Sequence, residues 1–351
     1  MSERVLFSVN HPAQVHLFKY AIRELEAEGF ETLVAAREKE MTVDLLSAEG
    51  LDYVTLTTES NGLVELTAEL AKRERRLYNL AREFDPSVIV ARLAPPAVHV
   101  ATALGCRNLV YMDTVLRPRT VRLLYHGLTL PFVDDICSPP GMGFHVPFGQ
   151  SHTVGFQELA YLHPDRFKPD PERLRAHGVN PDATYTVVRL AGWDAYHDIG
   201  EKGLDAAARS QLVEQLCDRG EVYITCEGDL PSEYDRHQLA VPPHLVHDLL
   251  YFADLYIGDS QTMPTEAALL GTPAIRINSV VGDNDMHNFL ELEERELLYS
   301  YTDGTAAIDR AEALLADNDA ERWERERKRL LAQQRDVTEH MVELIRTGGN
   351  G

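Results

Sequence analysis

The sequence predicts an α/β protein with two doubly wound domains, each a parallel sheet covered by helices on both faces. Short apolar runs alternate with longer segments whose apolar residues recur at helical spacing, and this alternation starts twice, at Val5 and at Tyr185. A connector rich in proline and charge, 161–171, lies between the two sets. The length of 351 residues also favours two domains, at roughly 150 residues each.

In the first set, the apolar run that starts at Val5 predicts the first strand. A helix follows over 12–29, where Val15, Phe18 and Ile22 keep helical spacing and Gly29 ends it. A proline-rich stretch, 117–150, predicts little regular structure. The further strands are predicted at 32–36, 51–57, 88–90 and 108–112, and the further helices up to Gly50, at 63–83 and at 95–104.

The second set repeats the pattern after the connector. Its strands are predicted at 185–188, 222–225, 255–257 and 274–277, and its helices at 203–219, 244–252, 263–270, 286–296, 304–316 and 319–346. We therefore divide the chain into a first domain, 1–155, a second domain, 156–318, and a C-terminal helical segment, 319–351, that crosses back to the first domain.

The chain is strongly acidic and poor in lysine. It has 34 Lys and Arg against 56 Asp and Glu, a net charge of −22, and only 6 of its residues are Lys. Hydrophobic residues make up 44%, which excludes a disordered acidic tail. The charge argues against a duplex nucleic-acid partner. It indicates a halophilic protein with an acidic surface, or alternatively an acidic enzyme working at ordinary salt.

Four cysteines without a CxxC pair indicate a reduced compartment. The N-terminus enters a strand without a signal peptide, and no apolar run is long enough to span a membrane. We therefore expect a cytoplasmic protein, with peripheral association at the inner face of the membrane as an alternative. The sequence shows no evident basic amphipathic anchor for that association.

The strongest motif is a strand, a small-residue turn and a helix start over 255–270. Pro264 lies in the first helical turn, where free amides and the helix dipole favour an anion such as a diphosphate. Glu266 follows in the same turn, where its carboxylate could accept two hydrogen bonds from a ribose diol; alternatively it only complements the dipole. The turn residues predicted to bind are Gly258, Ser260, Gln261 and Thr262.

This motif resembles the nucleotide-binding helix of GT-B glycosyltransferases and UDP-N-acetylglucosamine 2-epimerases. Over residues 5 to about 300 the chain also resembles domain of unknown function family 354, as a haloarchaeal-type member. The resemblance implies a GT-B fold whose domains face a cleft, and a nucleotide-sugar substrate bound by the second domain. The stretches that carry it are 10–19, 155–164, 189–200, 242–250 and 262–273.

A second cluster follows the strand at 185–188. Arg189 and His197 could balance a diphosphate, since arginine binds phosphate oxygens bidentately. Asp194 could orient His197, and Trp193 either contacts the ligand or packs between domains. The resemblance places His247 near the nucleotide base. His244 and His247 do not have the usual helical spacing of a metal pair, so we predict no metal and no cofactor beyond the nucleotide-sugar substrate.

Three residues of the first domain are candidate catalytic groups. Asp113 follows a strand where the 2-epimerases have a catalytic carboxylate, by resemblance. His16 and His11 belong to the loop 10–16, where the resemblance to the peptidoglycan N-acetylglucosaminyl transferase places a histidine near acceptor and phosphates. Capping of the first helix is the alternative for both histidines. The 2-epimerases have another acid after the preceding strand, where this chain has Arg92.

These features favour a metal-independent glycosyltransferase that moves a sugar from a UDP-linked donor to an acceptor hydroxyl. The acceptor side is the first domain, and a lipid-linked glycan is one candidate acceptor. A UDP-N-acetylglucosamine 2-epimerase-like enzyme is the second hypothesis. A non-catalytic nucleotide-sugar-binding protein is the third.

Overall fold

A computed structural model of the protein describes residues 3–58, 63–114, 119–190, 206–226, 230–238, 241–278, 281, 285–317 and 319–348. The chain forms two compact units. The first unit comprises the residues up to Arg166 and those from Arg335 onwards, and the second unit comprises Phe167–Gln334. The domain boundaries derived from the sequence, at 155/156 and 318/319, stay predictions beside this division.

The first unit is built on a parallel sheet. In its described part, seven strands are ordered β3-β2-β1-β4-β5-β6-β7. Val5, Leu6 and Phe7 of the central strand β1 are fully buried, because helices cover both faces of a parallel sheet. The strands are β1 (Arg4–Val9), β2 (Glu31–Glu38), β3 (Tyr53–Thr58), β4 (Val88–Arg92), β5 (Arg107–Tyr111), β6 (Asp135–Ser138) and β7 (Gln150–Thr153).

The helices of the first unit follow the strands in alternation. Gly105 ends one of them in the left-handed conformation, with φ 69°, which glycine adopts without steric cost. The helices are α1 (Pro12–Ala27), α2 (Thr42–Ala48), α3 (Leu63–Phe84), α4 (Pro95–Leu104), α5 (Arg119–Thr129) and α6 (Leu159–Leu162). A short 3-10 turn, Leu130–Phe132, follows α5.

The second unit repeats the architecture with a smaller sheet. Its five described strands are all parallel and are ordered β12-β11-β10-β8-β9. The strands are β8 (Tyr185–Leu190), β9 (Glu221–Cys226), β10 (Leu255–Gly258), β11 (Ala274–Ile277) and β12 (Leu298–Tyr301). The helices are α7 (Pro171–Arg175), α8 (Ala206–Cys217), α9 (Val246–Phe252), α10 (Met263–Leu270), α11 (His287–Glu294), α12 (Gly304–Asp317) and α13 (Ala320–Leu331).

The structure corrects the sequence prediction in two places. Residues 117–150 were predicted to be irregular, but they contain α5, β6 and the start of β7. The single helix predicted at 319–346 is two helices, α13 and α14 (Val337–Thr347). The chain passes from the second unit to the first between them, so this break is a junction and not a continuous helix.

Asp336 fixes the start of α14. Its carboxylate accepts hydrogen bonds from the backbone N–H groups of Thr338 and Glu339, at 2.9 and 3.1 Å. The same carboxylate accepts from Arg166 Nε at 2.8 Å, and Arg166 also pairs with Glu24 on α1. One side chain therefore caps a helix and partners a largely buried guanidinium.

We expect Asp336→Ala to lower the free energy of unfolding by about 2–4 kcal/mol, because a cap is lost and Arg166 loses a partner. Urea unfolding followed by circular dichroism measures this loss. Asp319→Ala is the control, since Asp319 caps α13 through Arg322 N at 3.0 Å and should cost only about 1 kcal/mol. Equal losses would contradict the role of Arg166.

Candidate functional site

Two arginines flank a glycine at the carboxyl edge of the second sheet. In the parallel register, Gly258 of β10 lies opposite Arg189 of β8 on one side and Arg276 of β11 on the other. Ligands of open parallel sheets bind beyond this edge. The predicted residues Arg189 and Gly258 are therefore neighbours, and Arg276 joins them although the sequence analysis did not select it.

Gly258 is required by the close approach of β8. A Cβ atom at this position would lie 2.3 Å from the carbonyl oxygen of Arg189 and 2.7 Å from the Tyr256 hydroxyl. Directly after the glycine, Asp259 N donates to the same carbonyl oxygen at 3.1 Å. Burial raises the pKa of Tyr256 well above its ordinary value, so the phenol beneath the turn stays neutral.

The turn leads into α10 with part of its N-terminus covered. The Ser260 hydroxyl accepts from the backbone N–H groups of Thr262 and Met263, both at 3.3 Å. The prediction that these first amides are open was therefore wrong. Both bonds are long, and a bound anion would replace one weak acceptor with a stronger one.

Glu266 and His247 form a buried pair behind the start of α10. His247 Nε2 lies 3.1 Å from Glu266 Oε1, and the two residues are 3% and 5% exposed. Phe167 packs edge-on against the imidazole, with ring centroids 6.2 Å apart. The structure thus brings together the two residues predicted for ribose and base, and the imidazole orients the carboxylate.

The two arginines are held in different ways. Arg189 Nη1 donates to the Thr225 hydroxyl at 2.9 Å. Arg276 is 1% exposed and pairs with Asp285, and its guanidinium stacks 3.7 Å from the centre of the Phe289 ring. The predicted residue Gln261 touches it too, through an Oε1 contact of 3.4 Å.

Arg276 escaped the sequence analysis because its strand, Ala274–Ile277, is otherwise apolar and serves the core. The available signal was a charged residue at the third position of a buried strand, since a charge there needs a partner or a ligand.

In the first unit, Asp113 lies just beyond β5 and is paired. Its Oδ1 contacts Arg92 at the end of β4 and accepts from the Thr114 hydroxyl at 2.8 Å. Arg92 also donates to that hydroxyl at 2.6 Å. The arginine that replaces an expected acid therefore binds the one carboxylate that we selected.

His11 and His16 do not form part of an open loop. Helix α1 starts at Pro12, so His16 lies within it, is 6% exposed and packs against the Tyr161 ring with centroids 5.4 Å apart. His11 is the N-cap residue, and its Nδ1 accepts from Ala13 N at 3.3 Å. The extended loop 10–16 was wrong, whereas the catalytic roles of the two histidines stay predictions.

The predicted residues Trp193, Asp194 and His197 lie outside the described residues. Within the described ranges, no three His, Cys, Asp or Glu side chains converge in a way that would hold a metal ion. Among the helices that the structure describes, none combines the length and apolar character that crossing a bilayer requires.

Comparison with known proteins confirms the fold. No family model matches the chain. The chain is 25% identical over 285 residues to an uncharacterized protein of Methanocaldococcus jannaschii, covering 77% of this chain and 80% of that protein. The proposed membership of family 354 therefore stays a prediction.

Two solved structures are similar over nearly the whole chain. One is the UDP-GlcNAc 2-epimerase of Neisseria meningitidis bound to UDP-GlcNAc, with TM-score 0.66, 14% identity and coverage of 98% of this chain and 100% of that one. The other is the glycosyltransferase VinC in complex with dTDP, with TM-score 0.63, 15% identity and coverage of 99% and 100%. The two parallel α/β units thus have the GT-B fold that the sequence predicts.

We expect Gly258→Ala to lower the free energy of unfolding by about 1–3 kcal/mol, because the added methyl forces β8 and β10 apart. Thermal and urea unfolding measure the effect. The control is Gly127→Ala in α5, where a Cβ meets nothing within 4 Å and removal of a helical glycine should stabilise by about 0.5–1 kcal/mol. A neutral Gly258→Ala would show that the strands can separate at no cost.

Proposed function

We propose that the protein is a metal-independent glycosyltransferase that moves a sugar from a UDP-linked donor to an acceptor hydroxyl. The observation that carries this proposal is the level ending of β8, β10 and β11, which sets Arg189 and Arg276 on either side of Gly258 beside the start of α10. The similar solved structures, among them a UDP-GlcNAc complex and a dTDP complex, support a nucleotide-sugar donor.

In this proposal, the second unit holds the donor. Glu266 accepts hydrogen bonds from the ribose diol while His247 fixes the carboxylate orientation. The diphosphate takes the amides at the start of α10, displacing the Ser260 hydroxyl. Helix dipole and arginine together stabilise the charge that develops on the departing diphosphate.

Arg189 and Arg276 have different proposed roles. Arg276 is fully buried and bound to Asp285, so we assign it the positioning of Gln261 and of the turn. Arg189 is half-buried and donates to a neutral hydroxyl, so we assign it the direct contact with phosphate oxygens. The predicted contacts of Trp193, Asp194 and His197 remain part of the proposal.

The acceptor reacts at the first unit in this scheme. The acceptor oxygen forms a bond to the anomeric carbon as the bond from that carbon to the diphosphate oxygen breaks, and the acceptor proton passes to a base. We assign Asp113 as the base, through Oδ2, because Arg92 and Thr114 both occupy Oδ1. His16, and His11 at the helix start, are the alternative bases.

A 2-epimerase-like reaction is the second candidate, and one observation favours it. Glu158 is 9% exposed, and its charge acts on Arg92: burial lowers the pKa of Arg92, and the Glu158 carboxylate offsets part of that effect. A second acid near Asp113 could share the proton transfers that epimerisation needs. A nucleotide-sugar-binding protein without turnover would keep the donor site and lack both reactions.

We expect Glu266→Ala to weaken UDP binding about 10- to 100-fold, because two hydrogen bonds to a charged acceptor are lost. Isothermal titration calorimetry at molar salt measures the affinity. Glu321→Ala is the matched control, since the Glu321 side chain is 93% exposed on α13, and it should bind UDP like the wild type. Wild-type affinity in Glu266→Ala would remove the ribose assignment.

For the reaction, we expect Asp113→Asn to reduce UDP release from a UDP-sugar about 100-fold or more, through loss of the general base. The assay follows UDP release over a panel of UDP-sugars, with and without a cell-lipid extract as acceptor source. Asp165→Asn is the control, because that side chain is 82% exposed.

The same assay separates the candidate functions. A transferase releases UDP only when an acceptor is present, whereas an epimerase converts or releases the donor without one. Binding of a UDP-sugar with no turnover under any condition indicates the non-catalytic protein. Failure of every UDP-sugar to bind would overturn the proposed donor class.

A further inference from the structure

Helix α5 presents an apolar face outwards. Val121, Leu123, Leu124 and Leu128 are 48%, 60%, 67% and 47% exposed. At 100° per residue these four positions fall within the outward half of the helix, where a surface helix normally carries polar side chains. We name these four residues the α5 face.

The opposite side of α5 is anchored in the first unit. Thr129 is fully buried, the Tyr125 hydroxyl donates to the Leu93 carbonyl oxygen at 2.5 Å, and His126 packs edge-on against Phe144 with ring centroids 5.4 Å apart. The helix is therefore packed in a definite orientation, and the α5 face is not an unpacked core side of a misplaced helix.

The charge around this face is the reverse of the charge of the protein. No Asp or Glu occurs between Asp113 and Asp134, whereas Arg119, Arg122 and His126 do, in a chain of net charge −22. Arg119 is exposed and Arg122 is half-buried at the border of the α5 face. The helix thus combines large apolar side chains with bordering cations.

We propose that α5 docks on an anionic lipid bilayer, with the α5 face inserted among the acyl chains and Arg119 and Arg122 at the lipid phosphates. Apolar insertion together with arginine at the headgroup level is how interfacial helices bind membranes. A second copy of the same face fits less well, because a symmetric contact would bring arginine against arginine without an acid to pair with.

The overall charge of −22 does not oppose this docking at moderate salt. Interactions beyond about 8 Å are largely screened at roughly 0.15 M ionic strength, so the bilayer experiences mainly the bordering arginines. Tyr125 also ties α5 to Leu93, the residue after Arg92. Docking would therefore hold the edge of the first sheet that carries Asp113 close to the lipid headgroups. The inference does not depend on the proposed transferase reaction.

The test is co-sedimentation of the full chain with vesicles of equimolar phosphatidylcholine and phosphatidylglycerol, in near-physiological salt. We expect the wild type to bind, and to bind vesicles of phosphatidylcholine alone more weakly. Leu124→Glu with Leu128→Glu should weaken binding about tenfold or more, through lost insertion and added repulsion. Leu124→Ser with Leu128→Ser should also weaken it, without any change of charge.

The matched control is Met41→Glu with Val54→Glu, since these side chains are 38% and 39% exposed elsewhere on the first unit, and it should bind like the wild type. All variants change exposed residues, and unchanged thermal unfolding verifies their folding. A wild type that stays in the supernatant, or an equal loss in the control, would overturn the proposal. So would variants that alter only the oligomeric state in sedimentation velocity, which would assign the face to a contact between copies.

Discussion

A single steric constraint organises the candidate donor site: β8 and β10 approach so closely at their carboxyl ends that the residue at 258 can have no side chain. The carbonyl oxygen of Arg189 occupies the place of its Cβ and accepts the next N–H, that of Asp259. The strands therefore end level, and their side chains meet at one edge. The turn that begins there also sets where α10 starts, and with it the position of Glu266 against His247.

Much of the fold follows from the sequence, because buried parallel strands and their covering helices leave clear periodicity. The misses have physical causes. Helix α5 was not predicted because its apolar residues do not face a core and prolines surround it. The break before α14 contains no Gly or Pro, and its signal is the capping pattern of Asp336 and Glu339.

The candidate site was less predictable than the fold. Sequence pattern indicated the turn and Glu266, because a helix start has a recognisable composition. It could not indicate that Ser260 covers two of the amides, or that Asp113 meets Arg92, because both depend on how neighbouring strands and turns are aligned. Arg276 was missed for the same reason: its importance comes from the register with Gly258.

The composition of the chain takes on a structural meaning in these contacts. Arginine is retained while lysine is scarce, and many arginines are held by carboxylates with little solvent exposure. Guanidinium suits such places because it is planar and donates to two oxygens at once. The described pairs of this kind include Arg37–Glu69, Arg107–Asp135, Arg166–Asp336 and Arg276–Asp285.

The Ser260 hydroxyl at the start of α10 has a consequence for ion selectivity. An uncovered helix N-terminus attracts any small anion, including the chloride of a concentrated brine. Here an incoming ion must first displace the internal hydroxyl from Thr262 and Met263, and a monovalent halide gains little from that exchange. A polyvalent ligand with several oxygens replaces the hydroxyl and adds contacts beyond it. The serine thus acts as a threshold that discriminates against simple salt.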